Sequence, residues 1–347
     1  MHLFLLLACS LGPSFAGTEP ATEMAPPVAA TEMAPPVAAL PPIAGDRYSL
    51  GARVTHGALA VWPVLDKRPS TTGDYLTLAD GLAGGKVTVK ETEGGTVPTL
   101  LVKNSTDTAL LLVAGDIVTG GKQDRVIVAD HVVPPRTEAS VAVNCVEHGR
   151  WSEGSTFGYG GRAEYELKQA VEVDNNQGKT WEKVAELNDK KRTRLAAKGV
   201  KEDGLAPSTG SYRASLEAEG VRADAAPYEE VVRRAISGEG VVGLVVAFDG
   251  QVVGTELFGS PALLAANRAS IAQGVARDAV SRGEGNRSAP PADAVALGYL
   301  DDTLAAPASA PEGTGGAVRA TTDGEKTVGK DLREADGDLV HKSTYKK

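Results

Sequence analysis

The densest chemistry in this sequence lies between Leu110 and Trp151, where two apolar runs each break into a polar cluster. Leu110-Leu-Leu-Val-Ala-Gly-Asp116-Ile-Val leads into Thr119-Gly-Gly-Lys122-Gln123-Asp124-Arg125. Val141-Ala-Val-Asn144-Cys145-Val leads into Glu147-His148-Gly149-Arg150-Trp151. Ionisable groups at the ends of buried strands cost free energy unless they pair with each other or with a ligand. Strand alternation along the second run puts Val141, Val143, Cys145 and Glu147 on one face, and Ala142, Asn144, Val146 and His148 on the other. An ionised Glu147 then continues an apolar face and needs a cation within about 4–6 Å. Lys122, Arg125 and Arg150 are the cations at hand. Two readings follow. In one, Lys122, Gln123, Arg125 and Arg150 line a pocket for an anionic small molecule, since the arginine fork matches phosphate or carboxylate. Glu147 or Asp116 would bind sugar hydroxyls or act as a general base, and Trp151 would stack on a ring. In the other, the same charges form an ion-pair network that fixes strand register.

Several neighbouring patterns imitate known chemistry and fall short of it. Cys145 and His148 suggest a nucleophile and its base, but alternation separates them, and a cysteine among valines is usually a small core hydrophobe. A phosphate-cradling loop ending at Lys122 would need glycine where Asp116 stands and Ser or Thr where Gln123 stands. Gly158-Tyr-Gly-Gly-Arg-Ala163 matches part of a dinucleotide fingerprint with no strand predicted before it, so it reads as a flexible lid. No cysteine or histidine pair has zinc-ligand spacing, and no cofactor is expected. Lys190-Lys-Arg-Thr-Arg194 reads as the solvated face of a helix. With a net charge of −9, the chain lacks the basic balance of a nucleic-acid binder.

The elements that must position these residues fall into an α+β pattern. At 347 residues with 42% hydrophobic and 23% charged content, the chain can bury a sizeable core. Its N-terminal half predicts a mostly antiparallel sheet: a strand at Ala58–Leu65 placed at an edge by Pro63, a helix at Asp74–Ala83, strands near 86–92 and 97–103, and one continuous buried strand at Val126–Val133. Helices follow at Arg162–Val171, Thr180–Lys198, Ser211–Ala218 and Tyr228–Ser237. Val241–Phe248 and Gln251–Phe258 flank Asp249-Gly250, a hairpin with a type I′ turn. Ser260-Pro261 opens a further helix to about Val280. A short helix near Ala292–Leu300 and weak strands near 317–321 and 338–343 complete the pattern.

The N-terminus reads as an address. Leu3–Ala8 is apolar but too short to span a bilayer, Leu6-Leu7-Ala8-Cys9 resembles a bacterial lipobox, and Ser14-Phe15-Ala16 offers another cleavage site. Residues 1–16 are therefore expected to be a signal or lipoprotein leader, with Cys9 the lipidated residue. Export to the periplasm or cell envelope follows, with membrane contact only through that lipid. If Cys9 leaves or carries lipid, Cys145 has no partner for a disulfide. Thr22–Ala30 repeats identically as Thr31–Ala39, a Pro/Ala-rich tether within 17–45. The globular domain is expected at 46–282 and a C-terminal extension at 283–347.

Gly94-Gly-Thr-Val-Pro98, Gly120-Gly-Lys-Gln-Asp-Arg125 and Cys145-Val-Glu-His-Gly-Arg-Trp151 resemble the uncharacterised domain named for its association with ADP-ribosylglycohydrolases and rhodanese-phosphatases. Gly178-Lys-Thr-Trp-Glu-Lys-Val, Ser208-Thr-Gly-Ser and the Val241 hairpin with Phe258-Gly-Ser-Pro are similar to later parts of that domain, so the resemblance covers roughly 46–277. It implies a link to nucleotide or ADP-ribose-type metabolites and no particular activity. Together these features predict an exported domain that binds an anionic, nucleotide- or ADP-ribose-like small molecule. The alternatives are a hydrolase or transferase acting on that ligand class, and a structural or interaction protein of the cell envelope.

Overall fold

A computed structural model describes residues 43, 45–68, 72–92, 98–149, 154–205, 210–283 and 288–347. The leader with Cys9, most of the tether, Arg150 and Trp151 lie outside the described residues. The chain begins with β1 (Tyr48–Leu50), β2 (Val54–His56) and β3 (Leu59–Asp66), then β4 (Leu76–Thr77) running into α1 (Leu78–Ala83). Next come β5 (Val87–Glu91), β6 (Thr99–Asn104), β7 (Leu110–Leu112), β8 (Asp116–Gly120), β9 (Arg125–Ile127), β10 (His131–Val133), β11 (Glu138–Cys145) and β12 (Phe157–Arg162). Helices α2 (Tyr165–Gln169), α3 (Gln177–Ala197), α4 (Tyr212–Glu217) and α5 (Glu219–Ala235) precede the hairpin β13 (Val241–Phe248) and β14 (Gln251–Phe258). Then follow α6 (Pro261–Arg282), α7 (Asp293–Ala305), β15 (Glu312–Thr314), β16 (Ala317–Asp323), β17 (Thr327–Glu334) and β18 (Leu339–Lys346).

The largest sheet has the order β1-β3-β13-β14-β18-β17-β16-β15, with β2 also on β3. A second runs β12-β8-β9-β11-β6-β5, and a third joins β10, β7 and β4. Strand neighbours among the described residues are antiparallel except β4 and β7. The fold is α+β, as the residue pattern predicts. A bridge between Lys90 and Thr156 brings the two ends of the second sheet together. Val87, Val89, Leu100, Val102, Val118, Ile127, Val141 and Val143 share one buried cluster there. Burying each such side chain contributes about 1.5–3 kcal/mol. The hairpin turn is as expected, with φ of 49° at Asp249 and 82° at Gly250. Ser260 caps α6 by accepting the Leu263 N–H at 3.2 Å.

Other elements depart from the sequence pattern for physical reasons. Pro63 lies in a strand with neighbours on both sides, not at an edge. Its carbonyl accepts the Gly51 N–H at 2.8 Å, so its missing N–H falls between β1 and β2, where no ladder bond is needed. The buried run Val126–Val133 is two strands in different sheets. Asp130 breaks it, accepting the Ala114 N–H at 2.8 Å and facing His341 at 2.7 Å. The Leu110 run is likewise split into β7 and β8 at Gly115, whose φ is +87°. Any Cβ there would lie 2.6 Å from the Lys168 side chain. Much of the glycine-rich stretch expected as a lid is β12, packed on β8. Helix α5 passes straight through Pro227 and starts well before it, because Val221 and Ala225 are buried on its inner face. Lys191, in the basic run of α3, is wholly buried rather than solvated. The stretch from 283, expected as an extension, pairs β18 with β14 and carries the largest sheet to its β15 edge.

Candidate functional site

The two polar clusters meet because β9 pairs with β11, placing Arg125 opposite Cys145. The Gly120-Gly121 turn, with φ of +126° and +53°, folds the loop onto Phe157. Asp124, with 0% exposure, accepts the Gly120 N–H at 2.8 Å and is clamped by Arg213 through Nε at 2.8 Å. Its own N–H donates to Glu147 Oε2 at 3.0 Å, and Ser211 Oγ donates to Glu147 Oε1 at 2.9 Å. Gln123 and Trp181 both donate to the Glu147 carbonyl, at 3.3 and 3.1 Å. Arg125, also 0% exposed, donates to the Gln123 carbonyl at 2.6 Å and faces Glu91 at 3.5 Å. Glu91 also accepts the Lys122 N–H at 3.0 Å. The structure thus brings Gln123, Asp124, Arg125 and Glu147 together and ties them to other groups of the protein, although Arg125 Nε and Nη2 have no hydrogen-bond partner among the described residues, and Arg125 faces Glu91 instead of the expected Glu147.

Asp116 belongs to a different set. It accepts from Tyr159 at 3.0 Å and Arg162 at 3.1 Å, and it faces the Val113 N–H at 3.1 Å. Cys145 is buried, and that burial pushes its thiol up. His148 packs edge-on against the Trp181 ring with centroids 4.7 Å apart.

A different constellation has groups to spare. At the end of β12 the ladder to β8 slips between Tyr159 and Gly161, leaving Gly160 without a partner across the strand. Bulges of this kind cluster beside binding sites. Only glycine fits: a Cβ at Gly160 would lie 2.6 Å from Thr119, and Gly161 has a φ of +108°. The bulge forms one wall of a cavity of about 220 Å³. Ser215 of α4, Arg222 and Glu229 of α5, and Gln273 and Arg277 of α6 form others. Arg277 is only 9% exposed, yet its Nε has no hydrogen-bond partner among the described residues. One of its terminal nitrogens donates to the Arg162 carbonyl, which fixes the guanidinium.

Behind this wall sits a buried charge cluster. Lys191 binds Glu164 and donates to Ser215 Oγ at 2.7 Å. Burial pulls the Lys191 ammonium below the usual lysine value, against the pull of Glu164. Ser281 Oγ donates to the other Glu164 oxygen. Asp278 is fully buried beside Arg282 at 3.3 Å. Burial pushes its carboxyl up to about 7; Arg282 opposes that shift and Glu164 and Glu166 add to it. Among the described residues no cluster of His, Cys, Asp or Glu could hold a metal ion. The cavity therefore offers an anchored arginine, an exposed arginine, an amide and a carboxylate, a set suited to binding. In the sequence, Gly160-Gly161 was the one visible trace of it; Arg222, Gln273 and Arg277 sit on helices that give no sign of facing a common space.

No curated protein and no solved structure matches the chain. A family model does, over residues 47–345, including the C-terminal strands. The chain belongs to the family of the ARG and Rhodanese-Phosphatase-superfamily-associated Protein domain.

Proposed function

We propose that the domain binds a small anionic molecule in the cavity between the β12 bulge and helices α4, α5 and α6. The observation that carries this reading is Arg277, a nine-tenths buried guanidinium whose Nε lacks a partner on a cavity wall. A buried donor left unmade costs about 1–3 kcal/mol, and a carboxylate or phosphate would recover it. Arg222, exposed at the rim, adds a second positive charge in a chain of net charge −9. The volume of about 220 Å³ favours ligands smaller than a full dinucleotide, because drug-sized pockets run about 300–1,000 Å³. Binding is preferred over a hydrolase built on Glu147 or Asp116, since both carboxylates are already held by donors.

Titration calorimetry with inorganic phosphate, citrate, AMP and ADP-ribose tests the reading. At least one should bind, and Arg222→Ala should weaken it about 10-fold, the loss of one exposed charged contact. Heat changes absent for the whole panel, or identical in Arg222→Ala and Arg277→Gln, would reject it. Export and lipid attachment at Cys9 remain a proposal from residues 3–16; labelling with a fatty-acid analogue, lost in Cys9→Ser, is the check.

A further inference from the structure

The cavity holds one feature that a simple anion does not use. Glu229 lines it, and its Oε1 takes Arg233 of the next turn, while Oε2 has no protein partner among the described residues. Arg222, Ala225 and Glu229 stand at i, i+3 and i+7 on α5, so they share one face. The cationic and anionic ends of that face lie about 10 Å apart along the axis at 1.5 Å per residue. The Gln273 side chain and the unpaired Gly160 backbone line the same cavity. An amide and a strand-like backbone group complement a peptide bond better than a sugar or a bare phosphate. Extended chain advances about 3.3 Å per residue, so two or three residues span the distance between the charged ends. The volume of about 220 Å³ is several times the roughly 30 Å³ that one water occupies in the liquid, which admits a ligand of that size.

We infer that the ligand is a short peptide with free termini, its carboxylate on Arg277 and Arg222, its ammonium on Glu229, and its amide against Gln273 and Gly160. This rests on the anion-binding reading of the same cavity and names the ligand class for it. The cluster around Glu164 lies behind the wall and takes no part in contact. The Glu229 side chain is half-buried and holds only a within-helix pair with Arg233, so its amide variant keeps the fold.

The probe is L-alanyl-L-alanine, compared by titration calorimetry with its N-acetyl form, its C-terminal amide and free L-alanine, on the whole protein and on Glu229→Gln. The free dipeptide should bind at least 10-fold more tightly than the N-acetyl form and than L-alanine. Glu229→Gln should lose that preference while binding the N-acetyl form as well as, or better than, the parent does. Equal binding of the free and N-acetyl dipeptides overturns the inference and leaves the anion reading standing. Equal binding of the free dipeptide and its C-terminal amide overturns both. If no peptide binds, the inference fails, and the phosphate and citrate titrations alone decide the anion reading.

Discussion

Glu147 separates a catalytic carboxylate from an architectural one, and the structure sets the size of the effect. Its two oxygens accept the buried Asp124 N–H at 3.0 Å and the Ser211 hydroxyl at 2.9 Å, with 3% of the residue exposed. Hydrogen bonds to a charged acceptor contribute about 1.5–3 kcal/mol each, and an orphaned buried N–H costs a further 1–3 kcal/mol or so. Glu147→Ala should therefore destabilise by about 3–5 kcal/mol, the usual range for breaking a buried charged set. Glu147→Gln keeps the shape and one carbonyl acceptor, while Ser211 can turn to accept from the new amide, so about 1–2 kcal/mol is expected. Across a body spanning residues 47–345, a loss of 4 kcal/mol corresponds to a Tm lower by roughly 6 °C, at about 2.1 cal/mol/K of unfolding entropy per residue. Urea denaturation followed by tryptophan fluorescence reads the free energies directly. The reasoning is refuted if Glu147→Ala stays within about 1 kcal/mol of the parent, or if the Gln variant falls as far as the Ala variant.

Two further outcomes follow from burial. Asp278, pushed up to about 7, holds a proton in the folded state that the unfolded chain has lost above about pH 4, so its contribution to stability fades as pH rises from 4 to 7. His131, pulled down to about 4 chiefly by burial, works in reverse: its contribution is complete above about 6.5 and is lost as pH falls towards 4. Each slope is at most about 1.4 kcal/mol per pH unit and the two oppose each other, so Asp278→Asn should make the urea midpoint fall more steeply between pH 7 and 5; an unchanged pH profile would refute the assignment. Cys145, fully buried with its backbone N–H and carbonyl clasped by Gln177 at 2.7 and 2.8 Å, should react with a thiol reagent only on unfolding, and modification within seconds at pH 7 in native buffer would contradict that.

How much of this was legible depends on how far apart in sequence the partners stand. The hairpin at Asp249-Gly250 and the cap at Ser260 are written in adjacent residues, and both appear as expected. So does the apolar alternation of β11, with Val141 and Val143 buried and Ser140 and Ala142 exposed. The division of Val126–Val133 was hidden, because Asp130 turns the chain through contacts with Ala114 and with His341, the latter 211 residues away. The same holds for Glu147: its partners Trp181 and Ser211 lie on α3 and just before α4 respectively, where local pattern says nothing of where they dock. Strand β17 eluded the reading because its apolar and charged residues do not alternate, and its Asp331 is buried against Lys342 and Arg333 of the fold itself.

These long-range pairs also explain why charge alone misleads as a signpost to function. Lys168 with Glu256, Arg162 with Asp116, Tyr345 with Glu172 and Asp331 with Lys342 are all nearly or wholly buried. Burial draws Lys168 down to about 8 even with acids around it. A satisfied buried pair adds little net stability, yet breaking one costs about 3–5 kcal/mol, so such pairs penalise wrong arrangements more than they reward the right one. Tyr345 with Glu172 ties β18 to a segment 173 residues earlier, and Lys168 with Glu256 ties α2 to β14. Perturbed ionisation here is thus a property of architecture, and the useful discriminator is a cavity that the charged groups line. Glu147, Asp116 and Glu256 are each held by donors from the chain, although buried atoms of Arg125, Arg162 and Glu256 itself lack a hydrogen-bond partner among the described residues. At the β12 bulge Arg277, Glu229 and Gln273 line one cavity and the buried Nε of Arg277 lacks a hydrogen-bond partner among the described residues, and the proposed ligand site rests on that combination rather than on the density of charge.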